Sequence, residues 1–185
     1  MNKLVKGAVA GAAGIALLLG GAGTFALWNA STSVSTGSVS TGTLAFGTNG
    51  AATWADVSPG ATSSSWNPAT QSMVPGDVVT LTQTVTINAT GKNLSAQLAY
   101  SIPTAAIPTD LVGKLVPTMT VTKQSGDATV SGTGSPYTIT PTAGGTSVFS
   151  VVLTFTFDRT TSGVVGQNEA VSLGGSTFTL TQTHS

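Results

Sequence analysis

Apolar and polar residues alternate one for one over much of this chain. Residues 78–88 read VVTLTQTVTIN, with Val79, Leu81, Val85 and Ile87 on one side and Thr80, Thr82, Thr84 and Thr86 on the other. Successive side chains leave a strand on opposite faces, so the pattern predicts a strand with one buried and one wet face. Residues 94–102 repeat it through Leu94, Ala96, Leu98, Tyr100 and Ile102. Between them lie Asn88-Ala-Thr-Gly-Lys-Asn93, turn residues that predict a hairpin. Phe149, Val151, Leu153, Phe155 and Phe157 mark one face of a longer strand whose other face includes Val148 and Val152. A strand apolar on both faces is expected in the middle of a sheet. Phe178 and Leu180 mark a last strand ending near Gln182.

Shorter candidates are residues 43–47, 53–57, 118–123, 128–130 and 137–140, with Gly126-Asp127 expected to turn a hairpin between the third and fourth. Pro59-Gly60, Pro75-Gly76 and Gly144-Gly145 punctuate the chain. Only residues 109–116, confined by Pro108 and Pro117, have room for a helical turn. Eight or more short strands predict an all-β fold. The expected form is a single β-sandwich, jelly-roll or immunoglobulin-like, after an N-terminal helical signal segment.

That segment breaks the alternation. Lys3 and Lys6 precede AVAGAAGIALLLGGAGTFALW, which is uncharged and rich in Gly and Ala. A short basic start before an apolar run is the pattern of an export signal, and Thr24-Phe25-Ala26 supplies the small residues a peptidase requires. Cleavage is expected between Ala26 and Leu27. A permanent anchor is the competing reading, since residues 8–28 are long enough to span a bilayer. Membrane contact is therefore expected only through the uncleaved signal, and the product is expected outside the cell, at its surface or in a matrix. The expected organisation is residues 1–26 as signal, 27–46 as an N-terminal extension or first strand, and 47–185 as the β-sandwich domain.

Composition agrees with export. Charged residues make up 6% of the chain, against about 25% in ordinary soluble proteins. Thr, Ser, Gly and Ala take their place, and Thr suits a solvated strand face without carrying charge. Beyond the signal, four cationic residues stand against six acids. No basic stripe is available for a phosphate backbone, which argues against nucleic acid as a partner. The chain has no cysteine, so disulfides and thiolate metal sites are excluded.

Catalytic chemistry finds little to use. A catalytic zinc wants about three protein ligands and a nearby base, and the sole histidine is His184, beside the C-terminal Ser185. No HExxH exists, Glu169 is the only glutamate, and the aspartates are scattered singly. No enzyme activity, metal or cofactor is expected. Glycosidase chemistry needs two facing carboxylates. Folding could bring Asp158 and Glu169 together, but any six acids offer such pairs, and solvation at the surface is the expected role. Trp54 and Trp66 flank a Ser/Pro/Gly loop. Trp66, in Ser-Trp-Asn-Pro, is a candidate platform for a sugar ring, with burial at the rim of the domain as the alternative.

Three stretches resemble the TasA/camelysin family of secreted bacterial proteins. They are Gly20-Gly-Ala-Gly-Thr-Phe-Ala26 followed by Trp28, then Gly37-Ser-Val-Ser-Thr-Gly-Thr-Leu44, then Val74-Pro75-Gly76-Asp77 opening the first strong strand. The resemblance covers mainly the first half of the chain. It implies a jelly-roll-like domain, a SipW-type signal peptidase acting during export, and assembly with itself or related subunits into extracellular fibres by strand exchange. On that reading residues 27–46 are the exchanged strand, with Leu27, Trp28, Val34, Val39, Leu44 and Phe46 filling pockets in a neighbour. The alternative is that residues 43–47 form the first strand of their own sheet. A further alternative is a monomeric adhesin or polysaccharide-binding module.

Overall fold

The computed structural model describes residues 2–4, 7–8, 12–13, 40–142, 144–171, 173 and 175–184. The expected cleavage site at Ala26 and Leu27, and Trp28, Val34 and Val39, lie outside them. The chain divides into two units, Met1–Val39 and Ser40–Ser185. In the first, Lys3, Leu4, Gly7, Ala8, Ala12 and Ala13 are helical. No helix among the described residues is long and apolar enough to cross a membrane.

The second unit is all-β, with nine strands among its described residues, in two antiparallel sheets. They are β1 (Thr43–Phe46), β2 (Thr53–Asp56), β3 (Val78–Thr90), β4 (Leu94–Ser101), β5 (Leu115–Ser125), β6 (Thr129–Ser131), β7 (Tyr137–Thr140), β8 (Gly145–Phe157) and β9 (Thr177–His184). One sheet has the order β1-β3-β8-β5, with β2 also on β3; the other runs β6-β7-β4-β9. The two 13-residue strands β3 and β8 pair from Val78↔Thr156 to Ala89↔Gly145 and form the spine of the first sheet. β8 is central, flanked by β3 and β5. Its five alternate residues from Phe149 to Phe157 are all buried.

One hydrophobic cluster joins the two sheets. Val85, Ile87, Met119, Val121, Phe149, Val151 and Leu153 come from the first, and Ala96, Leu98, Tyr137 and Ile139 from the second. Removing an aliphatic or aromatic side chain of this size from water stabilises by about 1.5–3 kcal/mol. The hydroxyl of buried Tyr137 on β7 donates to the Met119 carbonyl on β5 at 3.2 Å, a polar tie between sheets within an apolar core. The opposite face of the first sheet explains the missing charge. Thr80, Thr82, Thr84 and Thr86 on β3 stand in register with Thr154, Val152, Ser150 and Val148 on β8, and Thr118, Thr120 and Thr122 follow on β5.

Both expected hairpins are absent. β3 and β4 fall in different sheets, so residues 91–93 carry the chain from one sheet to the other. The same holds for β5 and β6, linked through Gly126 at φ 90°. Alternation and turn residues are shared by hairpins and crossings; the hydrogen-bond partner is what differs. The helical turn is also shorter than expected. Residues Thr104–Ala106 and Thr109–Leu111 form single 3-10 turns, and β5 begins at Leu115. Pro117 lies inside β5 rather than ending a helix, because β5 is an edge strand where a missing N–H costs no ladder bond.

β1 and β2 lie along the same side of β3, joined by residues 47–52. Gly47 and Gly50 N–H groups donate to the Thr86 and Thr84 carbonyls, while Asn49 Oδ1 accepts from Thr86 N–H at 3.1 Å. The side-chain amide thus supplies an acceptor where the ladder is interrupted. Leu44 and Phe46 lie in β1, paired with Ala89 and Ile87 of their own chain and half-buried against the core.

Candidate functional site

Two features outside the core stand out: an aromatic cleft at one end of the sheets and β9, the last strand of its sheet among the described residues.

The cleft has a volume of about 760 Å³. Its floor is the inward face at the starts of β3 and β5 and the end of β8, through Val79, Leu115, Phe155 and Phe157. Residues 66–75 supply one wall and residues 165–171 with Leu173 the other. Trp54 stacks on Phe155 with ring centroids 5.8 Å apart and an interplanar angle of 28°. An isolated antiparallel bridge between Ala55 and Ser65 sets Trp66 opposite Trp54 one residue further along, and both indoles line the cleft. Trp54 thus packs against the core and lines the cleft at once.

The walls are held locally. On one side, Asn67 N–H donates to Gln71 Oε1 at 2.6 Å and Gln71 N–H returns to the Asn67 carbonyl at 2.9 Å. On the other, Asp110 Oδ2 accepts from Gly166 N–H at 3.0 Å. Gly166 rests on Leu111 and Phe157, where a Cβ would meet the Phe157 ring at 3.2 Å. Asn168 has φ 59°, the one non-glycine residue with positive φ among those described. Asparagine tolerates this conformation better than most residues. Gln71, Gln167, Asn168 and Glu169 complete the rim.

Beneath the cleft, the start of β5 is tied to the end of β8. Asp158 N–H donates to the Lys114 carbonyl at 2.7 Å, and Lys114 Nζ reaches Asp158 Oδ2 at 3.2 Å. Thr160 N–H and its hydroxyl both donate to Asp158 Oδ1 at 2.8 Å. The Thr160 N–H, then its hydroxyl, then Lys114 hold the Asp158 carboxyl below its ordinary 3.8. A carboxylate depressed in the folded state stabilises fully above its unfolded pKa, and that contribution is lost as pH falls through the folded value. Thermal unfolding from pH 5 to pH 2 is therefore expected to show an acid limb that Asp158→Asn flattens. An unchanged limb in the variant would assign the acid sensitivity elsewhere.

Among the described residues, no group of three or more His, Cys, Asp or Glu side chains is placed to hold a metal. Glu169 lines the cleft, whereas the Asp158 carboxylate is engaged by Lys114 and Thr160. Lys92 and Lys123 are exposed.

The β9 edge is the second feature. β9 pairs with β4 over eight residues, from Leu94↔His184 to Ser101↔Thr177, and it ends its sheet. Among the described residues its other edge carries no ladder. Thr177, Thr179, Thr181 and Gln182 are exposed. The remaining edges are all blunted: β5 contains Pro117, Lys123 and a register shift between Lys123 and Ser125, β6 has three residues, and β1–β2 is interrupted. β9 has no proline, no lysine and an unbroken register.

Scans against protein-family models, curated proteins and solved structures found no match.

Proposed function

We propose that this chain is a secreted, non-catalytic structural protein of the cell surface or extracellular matrix, of the TasA/camelysin type. On this reading its two sheets form a β-sandwich, jelly-roll or immunoglobulin-like, and copies join by adding a strand from one to the sheet edge of the next. The observation that supports it is the outer edge of β9, which carries no ladder among the described residues. Soluble proteins guard long edge strands with charge, proline, bulges or brevity, because unpaired N–H and C=O groups recruit other strands. An eight-residue edge without these guards suits an incoming strand, whose main-chain bonds give affinity and whose side chains give choice.

The incoming strand is assigned to residues 27–39 of another copy, released by a SipW-type peptidase acting between Ala26 and Leu27. This stretch has no proline and no charge, and it offers Leu27, Trp28, Val34 and Val39 as anchors. Leu44 and Phe46 then serve the donor's own β1, which fixes where the exchanged segment ends.

Light scattering and electron microscopy of the secreted protein over a concentration series test the proposal. Filaments or an oligomer ladder are expected. Thr179→Lys with Thr181→Lys, which gives β9 charge of the kind Lys123 gives β5, is expected to leave folded monomer, as is deletion of residues 27–36. Polymers that persist in both variants would refute strand addition at this edge.

A further inference from the structure

We propose that the Trp54–Trp66 cleft is a binding site for a neutral glycan, independent of the assembly edge. The indoles supply the first part of the argument. Sugar rings present a flat patch of C–H groups that packs on an aromatic face, and half-buried Trp66 lies opposite Trp54 in a concave site of about 760 Å³. That volume is within the ordinary range for small-ligand sites, about 300–1,000 Å³.

The rim supplies the second part. Gln71 Oε1 is taken by the Asn67 N–H, which leaves its Nε2 as donor. Gln167 Nε2 donates to the Gly163 carbonyl at 3.3 Å, which leaves its Oε1 as acceptor. Asn168 offers both, and Glu169 accepts. A ring of mixed donors and acceptors fits hydroxyls, each of which donates and accepts, better than it fits an anion or a fatty chain. No lysine or arginine lines the cleft, so an acidic polysaccharide would enter without a counter-charge.

The third part is fixity. The Ala55–Ser65 bridge, the Asn67–Gln71 turn and the Asp110–Gly166 bond hold the platform and both walls without a ligand. A site formed in advance avoids the cost of ordering its groups on binding.

The test is tryptophan fluorescence of the purified full chain, in a Trp28→Phe background, titrated with tetrasaccharides of β-linked glucose, α-linked glucose, mannose and N-acetylglucosamine. At least one is expected to shift the emission saturably. Trp66→Ala is expected to weaken that sugar about tenfold, measured by calorimetry. Gln167→Ala, at an exposed position, is expected to weaken it about threefold with an unchanged melting temperature. The lysine pair on β9 is expected to bind it as the parent does, which separates this site from assembly. The proposal is overturned if no sugar gives a saturable shift, or if binding survives both cleft substitutions. It is equally overturned if palmitate binds in a Trp66-dependent way while none of the sugars does, which would make the cleft an apolar pocket.

Discussion

Replacing Phe149 by alanine is expected to lower the free energy of unfolding by about 3–5 kcal/mol, the usual cost of emptying a buried aromatic site. Phe149 is fully buried in β8, a strand hydrogen-bonded on both sides within its sheet. Its neighbours across the ladders are Val85 on β3 and Lys123 on β5, and the cluster it joins extends to Leu98 and Ile139 in the other sheet. Strands tied on both sides cannot collapse into the space, so much of the cavity should persist. Urea denaturation with an unchanged m-value would report the loss as stability. Phe149→Leu, which keeps more of the volume, is expected to lose markedly less. A loss under about 1 kcal/mol for the alanine variant would mean that the two sheets do not press on this side chain.

Gly126→Ala is expected to cost about 2–4 kcal/mol through backbone strain and collision together. Gly126 has φ 90°, outside the range that side-chain-bearing residues readily adopt. A Cβ there would lie 2.5 Å from Ser147 Cα and 2.6 Å from the Thr146 carbonyl oxygen. The neighbour is backbone of β8, so no side chain can rotate away. Ser147 is itself buried, and its hydroxyl accepts the Ala128 N–H at 3.1 Å, fixing the chain where it leaves one sheet for the other. Gly113, at φ 77° with nothing within 4 Å of its would-be Cβ, is the control. Gly113→Ala should lose only the strain, about 1–2 kcal/mol. Equal losses at the two positions would show that the close approach to Ser147 carries no weight.

These two positions differ in how far they could be read in advance. The role of Phe149 is visible in sequence, because its periodic neighbours from Phe149 to Phe157 leave one arrangement that buries them. Gly126 reads as a turn residue either way. That it turns the chain between sheets, rather than within a hairpin, depends on β8 passing beneath it. The cleft divides similarly. Trp54 and Trp66 can be singled out as aromatics flanking a loop, but their apposition follows from the Ala55–Ser65 bridge. Gln71, Gln167 and Asn168 carried no signal, since solvated amides in loops are ordinary. The positive φ of Asn168 has a weak one, in the Gly-Gln-Asn run that encloses it.

Sequence by itself determined the all-β class, the inward faces of β3, β4 and β8, the central place of β8 and the uncharged outer face. Each follows from the two-residue period of a strand, which is local and independent of partners. Tertiary structure alone decided which strands share a sheet, that β3–β4 and β5–β6 cross between sheets, and that β9 ends its sheet among the described residues. It also decided that loops ninety or more residues apart in the chain, Pro75 to Val165 at the nearest, enclose one cleft. Those outcomes depend on which hydrogen-bond ladders close over long loops. Many pairings satisfy the same alternation, and the choice among them is made by the packing of the whole core.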